Sequence, residues 1–167
     1  MGFGKTSRTA CFKKNVLEDK PMSNQNNTFE RVLVGVDDSA DAQLAFRYAM
    51  HRCIKDGSTL IITSILENNE MNVYQALTKD YVHGERKELE AHMQEYRKVA
   101  LDAGVKNVEL MVAEGDPGET IVKDVIPSCH ADLLVIGSLS KKGIKKYFGS
   151  QAAYMAKHAP ISVMIIR

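Results

Sequence analysis

The sequence DLLVIGSLSKKGIKKYFGS, at residues 132–150, is the most informative part of this chain. An apolar run of strand type comes first, a loop with glycine and lysine follows, and a helical pattern continues over residues 151–158. This arrangement binds phosphate in many proteins, because a helix N-terminus presents unpaired backbone N–H groups and a partial positive charge. Ser150 suits the N-cap, and Gly149 permits close approach to the backbone. The stretch therefore predicts a nucleotide or phosphate site.

Apolar runs alternate with helical patterns on the N-terminal side of this stretch and beyond it. Strands are predicted at residues 31–36, 58–66, 108–113, 133–136 and 161–166. Helices are predicted at residues 41–55, 81–103, 117–128 and 151–158. Short, nearly continuous aliphatic runs are typical of strands buried on both faces and covered by helices. Since helical crossovers are right-handed and join parallel strands, the pattern predicts a three-layer, doubly wound α/β domain.

Length and composition indicate one globular domain with an N-terminal arm. The chain has 167 residues, of which 44% are hydrophobic, and this is enough for one buried core. Residues 1–28 carry basic and polar residues without sustained periodicity. We therefore expect a flexible arm over residues 1–28 and a folded domain over residues 29–167.

Charge and cysteine content exclude several classes of partner. The formal net charge of +1 gives no global field that attracts nucleic acid or an acidic membrane surface. No apolar stretch approaches the roughly 20 residues that span a bilayer, and no secretory signal is visible. Cys11, Cys53 and Cys129 form no CxxC pair and no zinc pattern, which is typical of a reducing compartment. We expect a cytoplasmic protein without a metal site.

The ends of two predicted strands carry the residues expected to form a site. Ligands of open parallel sheets bind beyond the carboxyl ends of the strands, where the strand order reverses. The first strand ends at Asp37, and the fourth ends at Gly137. If these strands are neighbours, Asp37 is placed to hydrogen-bond a ribose or a ring nitrogen, and Gly137 lets a nucleotide lie against the backbone.

Some residues near these strand ends also have structural interpretations. Asp38 or Ser39 suits the N-cap of the helix that follows. The sequence Gly-Asp-Pro-Gly at residues 115–118 is more typical of a turn than of a binding element. The loop lysines either neutralise phosphate charge or form a solvated basic face; they are Lys141, Lys142, Lys145 and Lys146.

Three segments together resemble the universal stress protein family. They are VLVGVDDS at residues 32–39, the loop from Gly137 to Gly149-Ser150, and the ending HAPISVMIIR at residues 158–167. The likeness covers about residues 30–167. It implies an adenine-nucleotide α-hydrolase-like fold with five parallel strands in the order 3-2-1-4-5. That order makes the first and fourth strands neighbours.

One branch of this family binds ATP through a loop of the pattern G-x2-G-x9-G-[S/T]. By position, Gly137 matches the first glycine and Gly149-Ser150 the last pair. The middle glycine falls on Ser140, and the spacer that follows has eight residues instead of nine. A serine there adds a side chain near the phosphates and restricts positive φ. The outer anchors of the motif are therefore kept, and its middle is altered.

The resemblance implies ATP, accompanied by Mg²⁺, as the ligand between strands one and four. Asp37 matches the acidic residue that holds the nucleotide, and Ile65 falls where an apolar residue meets adenine. The predicted nucleotide-binding set is Gly35, Asp37, Ile65, Ile136, Gly137, Ser140, Gly149, Ser150 and Gln151. No catalytic residue is predicted, and fast hydrolysis is not expected because no base or arginine finger is evident.

The family's dimers commonly pair their last strands, so the resemblance also implies a homodimer through Ser162–Ile166. A stress-response regulator that binds ATP is the main hypothesis. The alternative is a dimeric stress-response scaffold that binds no nucleotide, favoured by Ser140 and the shortened loop. A phospho-receiver domain is a poorer match, because no lysine follows the fifth strand. An enzyme acting on an adenylated substrate would rest on fold analogy alone.

Overall fold

A computed structural model of the protein describes residues 28–37, 39–67, 79–138 and 149–167, and for residues 79–85 it describes the backbone alone. Several predictions fall outside the described residues: residues 1–27 of the arm predicted over residues 1–28, the Asp38 cap, Ser140, the spacer after it and the four loop lysines.

Five parallel strands form a single sheet within the described part of the chain. They are β1 (Arg31–Gly35), β2 (Thr59–Leu66), β3 (Asn107–Glu114), β4 (Leu133–Gly137) and β5 (Ser162–Ile166). Their order is β3-β2-β1-β4-β5, and every neighbouring pair is parallel. The predicted fold class, the strand order included, is confirmed. Each strand begins and ends within one residue of its predicted bounds.

Helices cover both faces of the sheet. They are α1 (Ala40–Asp56), α2 (Lys79–Asp102), α3 (Pro117–Thr120), α4 (Ile126–Cys129) and α5 (Ser150–His158). The segment between α3 and α4 was predicted as part of one α-helix, and it is a π-helix over Ile121–Val125. Here Ile126 N–H donates to the carbonyl of Ile121. Pro127 follows at once and has no N–H, so a wider turn just before it lets the helical segment continue past the proline.

Two hydrophobic clusters lie on opposite faces of the sheet. Val32 and Val34 of β1 belong to the first cluster, which packs under α1 and α2. Leu33 belongs to the second, which packs under α3, α4, α5 and the π-helix. All three side chains are fully buried, as the continuous aliphatic run predicts for a central parallel strand. None of the helices in the described ranges is both long and apolar enough to cross a membrane.

Candidate functional site

The carboxyl ends of β1 and β4 lie side by side. Val34 pairs with Val135 in the parallel register, so Val36 reaches the level of Gly137. Next to them, Val36 N–H donates to the carbonyl of Thr63 on β2 at 2.9 Å. The residues after β1 and β4 therefore border one edge of the sheet, which is the condition that the predicted crevice required.

Asp37 begins the tight turn that leads from β1 into α1. Its Oδ1 accepts a hydrogen bond from Ser39 N–H at 2.8 Å, an Asx turn that fixes the carboxylate at the sheet edge. Ser39 is the N-cap of α1, and its Oγ accepts from Ala42 N–H at 3.1 Å. Of the two caps that the sequence allowed, the structure assigns Ser39. Asp37 is exposed, so its carboxylate is accessible to a ligand from solvent.

A cavity of about 150 Å³ opens beside Asp37, between the ends of β1 and β2 and the inner face of α2. Its wall combines apolar and polar side chains: Val36, Asp37, Ser64, Leu89, His92, Met93 and Tyr96. The ring of His92 lies 5.1 Å from that of Tyr96, centroid to centroid. Tyr96 hydroxyl accepts a hydrogen bond from Gln43 Nε2. An aromatic and polar wall beside a carboxylate suits a flat heterocycle with polar edges.

Gly137 is required by the close approach of α1. A Cβ at this position would lie 2.7 Å from Ala42 N and 2.7 Å from the carbonyl carbon of Asp41. The sequence attributed this glycine to a nucleotide against the backbone; in the structure the side of Gly137 where a Cβ would stand is filled by the first turn of α1. Ser138, which the sequence analysis did not select, reinforces the contact because its Oγ donates to Asp41 Oδ2 at 2.7 Å.

The first turn of α5 faces the end of β4. Gly149, and not Ser150 as predicted, is the N-cap of this helix, because Ser150 already has helical geometry and its hydroxyl no longer reaches the next amides. Gly149 N–H donates to the carbonyl of Ser138 at 3.2 Å, which joins the two ends of the intervening loop. The N–H groups of Ser150 and Gln151 have no intrahelical partner because they stand at the helix start. Gly149 has no side chain to cap them.

Gln151 binds the turn between β3 and α3 through its side chain. Its Oε1 accepts from Gly118 N–H at 2.6 Å, and its Nε2 donates to Asp116 Oδ2 at 2.8 Å. Asp116 is also the N-cap of α3, where Oδ1 accepts from Glu119 N–H at 3.0 Å. The hydrogen bond from Glu119 N–H has the largest effect on the pKa of the Asp116 carboxyl, and the bond from Gln151 has the next largest. Together they hold this pKa below its usual range. The turn predicted at residues 115–118 is present, and its partner on α5 was missed.

The three remaining predicted site residues lie on the other face of the sheet from the cavity. Ile136 is 3% exposed and belongs to the second cluster, so its side chain serves the core. Ile65 is half-buried against the same cluster. A Cβ on Gly35 would point at Ile136 Cγ2, 3.5 Å away. The structure thus brings Asp37 together with Ser64 and His92, and it brings Gly149 against Ser138, the residue after Gly137. It does not bring the side chains of Ile65 and Ile136 into the cavity.

Comparison with known proteins identifies the family of this chain. The family model described as universal stress protein family matches residues 28–167. A relative named as a universal stress protein from Staphylococcus aureus (strain USA300) is 26% identical over 141 residues, which is 84% of this chain and 85% of that protein.

Solved structures of this family share the fold. The universal stress protein UspA from Lactobacillus plantarum superimposes with a TM-score of 0.73 at 22% identity, over 84% of this chain and 99% of that one. A universal stress protein in complex with cAMP gives a TM-score of 0.64 at 24% identity, over 84% and 98%. A universal stress protein from Archaeoglobus fulgidus in complex with dAMP gives 0.61 at 20% identity, over 83% and 98%. The predicted resemblance is confirmed, and the chain belongs to the universal stress protein family.

Proposed function

We propose that this protein is a stress-response regulator that binds an adenine nucleotide at the carboxyl edge of its sheet, between β1 and β4. One observation carries the proposal. The Asp37 carboxylate follows β1, and the uncapped first turn of α5 stands at the end of the neighbouring strand β4. Such a pair offers a polar anchor for a ribose or base at one end and backbone N–H groups for phosphate at the other.

Relatives of the same fold support the ligand class. Two of them are described as complexes with cAMP and with dAMP, and each of those ligands joins an adenine base to a phosphate group. The formal net charge of the chain is +1, so attraction for an anion must come from local groups such as the start of α5. ATP with Mg²⁺ is the nucleotide that the family motif favours for this chain.

The proposed roles follow from the positions of the residues. Asp37 holds the ribose or base edge, with the cavity under α2 as the space for the base. The N–H groups of Ser150 and Gln151, with the flanking Gly149, hold phosphate. Ser140 of the loop contributes its backbone. The proposed set also includes Gly35, Ile65, Ile136 and Gly137, and these offer only backbone groups at the sheet edge. The side chains of Ile65 and Ile136 pack against the second cluster, and α1 fills the space beside Gly137.

Calorimetric titration of the protein with ATP and Mg²⁺ tests the proposal. Asp37→Ala removes a hydrogen bond to a charged group and is expected to weaken ATP binding by about 1–3 kcal/mol. Asp102→Ala is the matched control, since Asp102 is an exposed residue at the end of α2, outside the site. If the two variants bind ATP as tightly as the unaltered protein, Asp37 is not in the site. If the unaltered protein binds no adenine nucleotide, the proposed function is wrong.

The second candidate is a dimeric scaffold that binds no nucleotide. It is favoured by β5, which forms one edge of the sheet and carries four consecutive half-buried apolar residues, Val163 to Ile166. Pairing with the same strand of a second copy would cover that edge. Denaturing the purified protein and measuring released adenine absorbance separates the candidates. The scaffold is favoured when no adenine is released and millimolar ATP leaves the melting temperature unchanged.

The domain boundaries and the compartment complete the proposal. We propose residues 29–167 as the folded unit and residues 1–28 as an N-terminal arm. Cys53 and Cys129 are both buried free thiols, which supports a reducing compartment and hence the cytoplasm.

A further inference from the structure

We propose that Gln151 is a positioning residue, whose side chain locks the first turn of α5 onto the β3–α3 turn and so sets the affinity of the site for phosphate groups. Two hydrogen bonds, here named the clasp, link Gln151 to Asp116 and Gly118. This inference rests on the proposed function, and it assigns to the side chain of Gln151 a role that differs from that of its backbone.

The clasp uses both ends of one amide. Gln151 Oε1 accepts from Gly118 N–H at 2.6 Å, and Gln151 Nε2 donates to Asp116 Oδ2 at 2.8 Å. The two partners fix which end of the amide is oxygen, because a flipped amide would set an N–H donor against Gly118 N–H. One orientation of the side chain therefore satisfies all groups.

The turn that receives the clasp is itself rigid. Gly115 has a φ of 137°, which only glycine adopts without strain. Asp116 caps α3 and Pro117 fixes the first helical residue. At Gly118 a Cβ would stand 2.6 Å from Gln151 Oε1 and 3.1 Å from Tyr154 Cδ1. The absence of a side chain at Gly118 is thus what lets α5 approach the turn.

The clasp matters for phosphate because no side chain among the described residues is seen to cap the start of α5. Gly149 supplies no side-chain cap, and Ser150 is exposed. An anion site made of backbone N–H groups binds well when those groups are already oriented, since the ligand then does not have to order them. The bonds at Gln151 immobilise the residue whose N–H is one of the proposed phosphate donors.

Substitutions at Gln151 and Asp116, singly and together, separate the effect of losing the clasp from the effect of changing the net charge. Gln151→Glu places a second carboxylate against Asp116. Asp116→Asn keeps an oxygen for the α3 cap but sets an amide donor against Gln151 Nε2, so both single variants break the clasp. The double variant restores a donor and an acceptor in the reverse order, and it carries the same net charge as the unaltered protein.

The experiment measures ATP and adenosine binding by calorimetry for the four proteins, together with amide hydrogen exchange at residues 150–153 without ligand. Each single variant is expected to bind ATP about fivefold more weakly, equivalent to about 1 kcal/mol for one hydrogen bond. Adenosine, which has no phosphate, is expected to change less than about twofold, and the double variant is expected to recover ATP affinity to within about twofold. Exchange at residues 150–153 is expected to be faster in the single variants only.

Asp116→Asn gives the decisive result, because simple electrostatics and the clasp predict opposite signs. Removing a negative charge near phosphate would tighten ATP binding, and breaking the clasp would weaken it. Asp124→Asn is the matched control: it removes the same charge at an exposed position of the π-helix that takes no part in the clasp, and it is expected to leave the ATP-to-adenosine affinity ratio unchanged.

Three outcomes of the binding measurements on the variants overturn the inference. One is tighter ATP binding by Asp116→Asn, and another is an equal loss of ATP and adenosine affinity, which would mark a merely structural role. The third is a double variant as weak as the single ones. If the unaltered protein binds neither compound, the proposed function fails and the ligand role of Gln151 fails with it. If the protein binds ATP but hydrogen exchange is unchanged in the single variants, the role of the clasp is wrong and the proposed function stands.

Discussion

Gly137→Ala is expected to destabilise the protein, because α1 leaves no room for a Cβ at the end of β4. The added carbon would lie 2.7 Å from Ala42 N and from the carbonyl carbon of Asp41, and 2.9 Å from Asp41 Cβ. Ordinary contact begins at 3.4 Å, so the start of α1 must retreat by about 0.7 Å or β4 must bend. Two of the three atoms belong to the backbone and cannot rotate away.

The loss of folding stability caused by Gly137→Ala can be estimated from the side chains that α1 buries against the sheet. Ala45 and Ala49 of α1 are fully buried against the sheet, and a gap of about 0.5–1 Å forfeits roughly a quarter to a half of the dispersion energy across it. Overpacking of this kind costs about 1–3 kcal/mol, and the lower entropy of the unfolded alanine chain returns about 0.4–1 kcal/mol. A net loss of about 1–2 kcal/mol is expected, or a melting temperature lower by roughly 2–8 °C for a chain of this size.

Gly35→Ala is the matched control at the end of the neighbouring strand. Its Cβ would meet Ile136 Cγ2 at 3.5 Å and Ile121 Cδ1 at 3.7 Å, both ordinary contacts with side chains. The free energy of unfolding of Gly35→Ala is therefore expected to lie within about 1 kcal/mol of the unaltered protein. Urea unfolding followed by far-ultraviolet circular dichroism measures both variants. Equal stability of the two would refute the close approach of α1 to Gly137.

Three further predictions follow from burial and charge. Burial raises the pKa of the Cys53 thiol to about 12, so a disulfide reagent at pH 8 should modify Cys53 only after unfolding; rapid modification of the native protein would contradict its burial. The pKa of Asp116 is lower in the folded protein than in the unfolded chain, where it is about 3.9. The ionised Asp116 therefore stabilises the folded protein fully above the unfolded pKa, and this stabilisation is lost as the pH falls through the lower folded value. The stability difference between the unaltered protein and Asp116→Asn should therefore shrink on acidification below about pH 4, and a constant difference would argue against it. If copies pair through β5, hydrogen exchange at Ser162–Ile166 should slow with rising protein concentration; sedimentation as a monomer throughout the micromolar range would exclude the pairing.

The sequence predicted the sheet well because each central strand has its own apolar run. Leu33 and Val34 face opposite cores, and both are fully buried, so the run marks the strand whichever way it faces. The strand order came from the family resemblance and not from the runs themselves. The π-helix was missed because a turn wider by one residue leaves no separate pattern, although Pro127 gave a reason to expect a disturbance.

The candidate site was predicted less completely, because its contacts join residues far apart in the chain. Gln151 and Asp116 are 35 residues apart, and no local spacing links an amide on one helix to a carboxylate that caps another. Local chemistry also left choices open: serine and aspartate both suit an N-cap, yet Ser39 caps α1 and Gly149 precedes α5. Which residue caps depends on where the chain turns helical, and tertiary packing decides that.

The contacts at the carboxyl edge of the sheet share one effect, which is to fix backbone rather than to present side chains. Gly137 lets α1 close onto β4, Ser138 binds Asp41 of α1, and Gly149 N–H joins the two ends of the loop. The proposed phosphate site would depend on the orientation of N–H groups, which every residue except proline provides. The altered middle of the loop motif at Ser140 is then compatible with phosphate binding, provided that the two anchored ends keep their geometry. For this reason the residues that hold the ends, and not the residue at position 140, are expected to decide whether the site binds nucleotide.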